Sequence, residues 1–395
     1  MNSGTRAPVL PQFSWVGTVQ KTPSFLKGVL GARNYLNLTS AYGWLKHETR
    51  SRADIPLRQR LRTWQRGFFA ESAALYDLER NNPDEYLSDF TRATRCREIN
   101  PHNEFFVHKM VLRSFLLAMG FRQPETVALL FRGQILSDPY GSNSRDIKPE
   151  ELEDRLRASS RDHIVKPEGS ASDGDVFLLQ KRDGGFIRRR GTESLPFDLG
   201  AMLQQSKIGR ALRDMTLIEE RLAQAPFWDQ LFPESANTIR LLTLWTPGEP
   251  TPFIARAVQR IGTAETVPTD SWSRGGISAP VDLVSGTLGQ GKLHPSRASQ
   301  RMAGQPLNHH PETGAQIGGA TIPQWDQVKE TVLRAAASLP FNPMAAWDVL
   351  VAPDGVPVIL QASGDTDLHL LQVHGGLLAD PRIRRFYQEV GALGR

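Results

Sequence analysis

The chain has 395 residues, 39% hydrophobic and 23% charged, which excludes wholesale disorder and is more than one core usually accommodates, so two or three subdomains are expected. Its single cysteine, Cys96, excludes an intrachain disulfide and fits a reducing, cytoplasmic setting; with no histidine beside it in TRATRCREIN, it reads as structural. The net charge of +5 is uneven, because residues 1–100 hold 15 Lys and Arg against 9 Asp and Glu and the remainder is close to neutral.

A basic N-terminal region suits contact with a membrane surface or an acidic polymer; the plainer reading is a solvated helical face. No nucleic-acid motif and no aromatic–basic interleaving is present, so nucleic acid is not an expected partner. No segment reaches the length of a membrane span, and the first residues lack the charged start and apolar block of a secretory signal.

Residues 1–20 are rich in Pro, Ser and Gly and read as a loose lead-in. From Lys21 to Asn100 the pattern is helical. Leu57, Leu61, Trp64 and Phe68 fall on one stripe, and Tyr76, Leu78, Tyr86, Leu87 and Phe90 continue it after a break at Asn81-Asn82-Pro83. Phe105 to Gly120 predicts one amphipathic helix stopped by Gly120. ETVALLFRGQIL predicts an apolar strand and turn, SDPYGSNSRDIKPEEL a polar linker, and the next residues a short helix to about Ser160. Short strands follow at His163–Lys166, Val176–Lys181 and Gly185–Arg189, then a helix near Phe197–Leu203, a strand at Met215–Glu219 and a helix near Phe227. Ile239–Trp245 and Phe253–Ile261 read as adjacent strands, and Ile277–Val284 as another. Gly286 to Gly319, rich in Gly, Pro, His and Ser, predicts a long loop or lid. Trp325–Leu339 is a helix, Trp347–Ala352 and Val356–Leu360 form a hairpin about Pro353-Asp354-Gly355, and a helix closes the chain from Asp380.

Five constellations carry candidate chemistry. In HIVKPEGSASDGDVFLL a strand delivers Lys166, and a loop of small residues follows, including Gly169, Ser170 and Gly174. Such a loop lets backbone N–H groups approach phosphate oxygens while the lysine supplies charge; a purely structural hairpin has the same composition. Glu219 and Glu220 end a strand, where they suit a nucleoside or a solvated helix start. Arg240 and Arg260 lie on strands read as paired, and guanidinium forks suit phosphate or carboxylate. Gly275-Gly276 is a backbone anion-binding turn or a tight bend. Asp348 opens one hairpin strand and Gln361 and Ser363 end the other, so the three are placed to converge on one point.

The order of these pieces resembles the ATP-grasp superfamily, from about Phe105 to Gly376. The resemblance is nearest to the sugar-transfer-associated ATP-grasp proteins of bacterial surface-polysaccharide loci, and more distant to the ribosomal-protein and coenzyme glutamate ligases. It matches Lys109, preceded by His108 where Asp is usual, and Lys166 to two phosphate-contacting lysines. Gly169–Gly174 matches the flexible loop, and Glu219 and Glu220 match hinge glutamates that meet adenine or ribose. Arg240 falls in "NTIR" and Arg260 in "RiG". The pattern "DNxsxGG" appears at Asp270–Gly276 with Ser271 in place of Asn, while "HPxTG" at His310–Gly314 and "iPxWD" at Ile322–Asp326 are intact. Asp348 matches a metal aspartate. Gln361 and Ser363 stand where Glu and Asn complete the metal set, and Asp365 and Asp367 follow close enough to compensate.

The resemblance implies an α+β, ATP-grasp fold with ATP and Mg2+ as cofactors. The chain then divides into a helical region at 1–100, a linker segment at 101–160, a small subdomain with the glycine-rich loop at 161–225, and a C-terminal subdomain with metal hairpin and lid at 226–395. The implied function is a cytoplasmic ATP-dependent ligase joining a carboxylate to an amine through an acyl phosphate, on small-molecule or sugar-linked substrates in surface-polysaccharide or natural-product biosynthesis. Lys109, Lys166, Gly169, Ser170, Gly174, Glu219 and Glu220 would hold the nucleotide, Arg240, Arg260 and Lys166 would serve catalysis, and Asp348, Gln361 and Ser363 the metal. The altered metal pair leaves two alternatives: a protein that binds nucleotide or a partner without ligation, and a kinase using the same site. The basic N-terminal region would contact a membrane or polysaccharide machinery.

Overall fold

The computed structural model describes residues 56–140, 144–169, 175–182, 184–208, 215–294 and 305–394. The predicted lead-in and the basic segment before residue 56 lie outside these, as do most of the loop after Gly169 and the centre of the predicted lid.

The N-terminal part is helical but broken into short pieces: α1 (Leu57–Gln65), α2 (Ala70–Leu75), α3 (Asp89–Thr94), α4 (Glu104–Val107) and α5 (Lys109–Ala118). The expected stripe from Leu57 to Phe68 does not form a single buried face. Leu61 is 47% exposed, whereas Phe68 is buried in a turn after α1 and packs on Tyr76. The single helix expected over Phe105–Gly120 splits at His108, whose extended backbone (ψ 100) ends α4 and begins α5. Gly120 does stop it, at φ +78. Cys96 is buried, and burial pushes its thiol up to about 12, consistent with a structural residue.

The first sheet has eight strands: β1 (Thr126–Phe131), β2 (Gln134–Ser137), β3 (Arg145–Asp146), β4 (His163–Pro167), β5 (Phe177–Arg182), β6 (Gly185–Arg190), β7 (Glu193–Pro196) and β8 (Thr216–Glu220). Their order is β3-β2-β1-β8-β4-β5-β6-β7, all antiparallel, so β8 is inserted between β1 and β4. The predicted division at residue 160 crosses this sheet, because its first three strands come from the segment read as a linker. Helices α6 (Pro149–Ala158) and α7 (Leu199–Ile208) contribute Leu152, Leu156, Leu199 and Leu203 to its core.

The second sheet has the order β12-β11-β10-β9-β13-β14, from β9 (Ile239–Leu244), β10 (Phe253–Ile261), β11 (Ile277–Pro280), β12 (Lys292–Leu293), β13 (Met344–Val351) and β14 (Pro357–Ser363). Alternation along its strands sorts side chains onto two faces. Ile239, Leu241, Trp347 and Val349 face the core that includes α8 (Pro226–Leu231) and α9 (Trp325–Ala337). Helix α9 presents Trp325, Val328, Val332, Ala335 and Ala336 to that core, the spacing of one helical face. Leu242, Leu244, Met344 and Ala346 face a second core completed by α10 (Leu368–Gln372) and α11 (Pro381–Glu389). Arg240 and Asp348 have the parity of this second face, so alternation carries two charged side chains to its edge. Together these sheets and helices make an α+β fold.

Candidate functional site

On the first sheet, Lys166 of β4 stands opposite Leu217, and Glu219 of β8 stands opposite Ile164, which makes the two charged residues diagonal neighbours. Lys166 Nζ lies 2.8 Å from Glu219 Oε2. From α5, Arg113 Nη1 lies 2.6 Å from Glu219 Oε1 and also donates to Thr126 Oγ1. Burial alone would push the Glu219 carboxyl up, but Lys166 and Arg113 hold it below its ordinary range. Burial, with Arg113 adding to it, lowers Lys166 despite its glutamate partner.

Glu168, two residues beyond Lys166, is buried against the start of α5. Lys109 Nζ donates to its carbonyl at 3.1 Å, Met110 N donates to Oε1 at 3.2 Å, and His108 Nδ1 lies 3.4 Å from Oε2. A carboxylate at a helix N-terminus is favoured by the unpaired N–H groups there. Lys109 is thus tied to the residue that opens the glycine-rich loop. Gly169 follows as a bend; Ser170 and Gly174 lie outside the described residues. Glu220 pairs at 3.0 Å with Arg161.

On the second sheet, Asp348 of β13 has Arg240 of β9 as its cross-strand partner on one side and Gln361 of β14 on the other. Arg240 is bidentate to it, Nε to Oδ1 and Nη2 to Oδ2, both at 2.7 Å. Arg260 Nη1 donates to Oδ2 at 2.9 Å, and Gln361 Nε2 donates to the same oxygen at 2.6 Å. Arg260 reaches Asp270 with its other arm, Nη2 to Oδ1 at 2.7 Å, and Asp270 Oδ2 accepts from Thr238 N at 2.7 Å and Thr238 Oγ1 at 2.6 Å. Burial would raise Asp348, but Arg240 and Arg260 hold it far below the usual carboxylate range. Burial dominates at Asp270, which is raised, with Arg260 opposing and Asp348 adding.

A cleft of about 860 Å³ of open space separates the two clusters. Lys166, Glu219 and Glu220 line it from the first sheet, and Arg260, Asp270, Asp348 and Gln361 from the second. Ile164, Val176, Leu222, Leu350 and Leu360 supply apolar wall. Lys166, Asp348 and Gln361 therefore converge across one cleft.

The model of the family described as sugar-transfer associated ATP-grasp matches residues 92–388. The chain belongs to that family. No curated protein is similar enough to match. Among solved structures, D-cycloserine synthetase DcsG is similar over 76% of this chain and 77% of its own, at 12% identity and TM-score 0.40. A RimK domain ATP-grasp protein from Sphaerobacter thermophilus is similar over 72% and 68%, at 12% identity and TM-score 0.37. The ATP-grasp ligase PsnB, complexed with minimal precursor, is similar at 12% identity and TM-score 0.34; this chain spans 62% of its length. The family match, and not these distant likenesses, places the chain.

Within this ATP-grasp protein, the expected metal trio does not act as one. Ser363 stands opposite Ala346, two pairs beyond Gln361, and is neither in the Asp348 cluster nor among the residues lining the cleft. Asp365 is bound to Arg92 at 2.9 Å, and Asp367 Oδ1 accepts from His369 N at 2.9 Å to cap α10, so neither compensates. Mg2+ takes oxygen ligands, commonly one or two carboxylates. Here the one carboxylate of the trio is neutralised by two guanidinium groups, and no three His, Cys, Asp or Glu side chains among the described residues form a metal-holding group. This donor set does not fit a protein-bound Mg2+.

Other motifs of the ATP-grasp pattern prove to be architecture. Gly276 N donates to Ser271 O at 3.0 Å, and a Cβ on Gly276 would meet Asp270 O at 2.7 Å, so Gly275-Gly276 is the tight bend and not an open anion turn. His310 Nδ1 accepts from Glu312 N and Thr313 N, each at 3.2 Å, while Nε2 donates to Gly262 O at 2.9 Å. That histidine is buried, which lowers its pKa and keeps it neutral in a turn. The described parts of the predicted lid are bonded into the fold: Gly291 and Leu307 exchange two hydrogen bonds of 2.8 Å, and Leu288 N donates to Ala320 O at 2.7 Å. Residues 295–304 of that segment lie outside the described residues.

Sequence reasoning passed over Arg113, Glu168, Thr238 and Asp270 as site residues. Arg113 carried a signal: it is a charged residue beside Leu112 on the buried face of an amphipathic helix, where an unpaired charge is costly.

Proposed function

We propose that the cleft binds ATP and that the chain is an ATP-dependent ligase that activates a carboxylate as an acyl phosphate and transfers it to an amine. The observation that carries this is the convergence of Lys166 and Arg260 on one cleft with apolar walls, with Arg240 joined to Arg260 through Asp348. An adenine fits between apolar side chains such as Ile164, Leu222 and Leu360, and phosphate oxygens suit a lysine and guanidinium groups. In the reaction a carboxylate oxygen forms a bond to the γ-phosphorus of ATP, and ADP leaves. The amine then attacks the carbonyl carbon, its nitrogen loses a proton, and phosphate departs as the amide bond forms. Lys166, with Lys109 behind it and the loop from Gly169, is assigned to the phosphates, and Arg240 and Arg260 to the carboxylate and the developing charge. As substrates we propose sugar-linked or other small-molecule carboxylates and amines, in surface-polysaccharide or natural-product assembly; the words sugar-transfer associated in the family's description support the sugar link alone.

One observation favours a second reading, nucleotide binding without ligation: both arginines assigned to the substrate are engaged by Asp348. Carboxylate-dependent ADP release, with hydroxylamine added to trap an acyl phosphate as a hydroxamate, separates the two. Hydroxamate formation supports the ligase. ATP binding with no ADP release across a panel of carboxylates supports the second reading, and a phosphate ester product would make the chain a kinase.

A further inference from the structure

Asp348 is the one charged residue of the expected metal trio, and its oxygens are committed. Oδ1 accepts from Arg240 Nε at 2.7 Å, and Oδ2 accepts from Arg240 Nη2, Arg260 Nη1 and Gln361 Nε2 at 2.7, 2.9 and 2.6 Å. Asp270, the carboxylate on the other arm of Arg260, is held by Arg260 and Thr238. Two guanidinium groups thus balance two carboxylates before any cation arrives, and a divalent ion approaching Asp348 meets N–H donors. Gln361 sharpens this. Its amide nitrogen faces Asp348 at hydrogen-bond distance, and the reverse orientation would set two oxygens against each other.

Resting on the reading that the cleft takes a nucleotide, we infer that Asp348 is the internal counter-ion of Arg240 and Arg260 and not a metal ligand. The protein holds no divalent cation of its own. An incoming phosphate or carboxylate shares the guanidinium N–H groups with Asp348, and Gln361 keeps that aspartate from turning toward a metal. A glutamate in place of Gln361 would put two carboxylates in contact, an arrangement that needs a proton or a cation between them.

The test is Mn2+ titrated into the full-length, chelator-stripped protein, with free Mn2+ read by electron paramagnetic resonance. The wild type is expected to bind no Mn2+ more tightly than about millimolar, and Gln361→Glu to bind at least about tenfold tighter. Wild-type binding in the micromolar range that disappears in Asp348→Asn would overturn the inference. The wild-type titration decides even if Gln361→Glu does not fold. Calorimetry with ATP, in chelator and then in Mg2+, supplies the second arm. Wild-type affinities within about threefold of each other are expected; tightening by about tenfold or more with Mg2+ overturns the inference and leaves the nucleotide reading standing. Absence of ATP binding in both conditions ends the nucleotide reading instead, and the Mn2+ titration still decides the role of Asp348.

Discussion

Arg240 and Asp348 are direct cross-strand neighbours joined by two parallel hydrogen bonds of 2.7 Å. The paired geometry is the strongest form of charge-assisted hydrogen bond, and Arg260 and Gln361 complete it on the second oxygen. Three side chains from three other strands of the sheet therefore depend on one carboxylate.

Removing that carboxylate strands the half-buried Arg240 and leaves buried Arg260 with Asp270 as its remaining counter-charge. Asp348→Ala should cost about 3–5 kcal/mol of unfolding free energy, the range seen when one partner of a buried ion pair is deleted. Denaturant unfolding of the wild type and the variant measures it. A loss under about 1 kcal/mol would show that the arginines find other partners or water, and the hub would lose its structural role.

Lys166 should matter more to ligand than to fold. Glu219 retains Arg113 when the lysine is lost, so the carboxylate is not stranded. Lys166→Met should weaken ATP binding about 10- to 100-fold, the worth of one charge-assisted hydrogen bond, while changing stability by about 1–2 kcal/mol. Unchanged nucleotide affinity in the folded variant would remove Lys166 from the phosphate site.

The bend at Gly275-Gly276 should be intolerant of a methyl group. Gly276 packs its α-carbon against two carbonyls, and an added Cβ would stand 2.7 Å from Asp270 O and 3.0 Å from Ile261 O. Gly276→Ala should cost about 1–3 kcal/mol and displace Asp270 from Arg260. Thermal unfolding gives the first quantity. A Gly276→Ala protein as stable as the wild type would mean that the bend opens freely, and the packing argument would fail.

What the sequence made legible was local. The hairpin about Pro353-Asp354-Gly355 forms where its alternation and turn residues place it, and β9 and β10 pair as their shared pattern suggests. Contacts between distant segments were not legible. Arg240 meets Asp348 across 108 residues, and spacing within one hairpin cannot reveal which side chain the neighbouring strand brings to the shared face. The i, i+2 rule therefore grouped Asp348, Gln361 and Ser363 as one oxygen cage, while β9 and β10 filled the cage with guanidinium groups. Likewise β8 enters the first sheet between strands almost 40 residues apart in the chain, and that insertion, invisible to periodicity, is what brings Glu219 beside Lys166 and Arg113. The split of one predicted helix at His108 has a similar cause: Glu168, 60 residues away, takes the amide that begins α5.

A pH dependence should arise at the contact between the N-terminal helices and α10. His369 Nε2 lies 2.8 Å from Ser72 Oγ and 3.5 Å from Asp89 Oδ1, and its Nδ1 lies 3.8 Å from Asp367 Oδ1. Burial alone would lower the imidazole, but Asp89 and Asp367, with Glu71 beyond them, raise it to about 9. A folded-state pKa above the unfolded value of roughly 6.5 means that the folded state binds the extra proton. Its stabilisation is complete below about pH 6.5 and is lost as pH rises through about 9, a loss on the order of 2–3 kcal/mol after allowance for partial exposure. Unfolding free energy measured from pH 6 to 9.5 should fall in the wild type and fall much less in His369→Gln. Asp89→Asn should move the loss to lower pH, because it removes the nearest counter-charge. Equal slopes in the wild type and His369→Gln would show that the imidazole is neutral across this range and that the helices are held by packing alone.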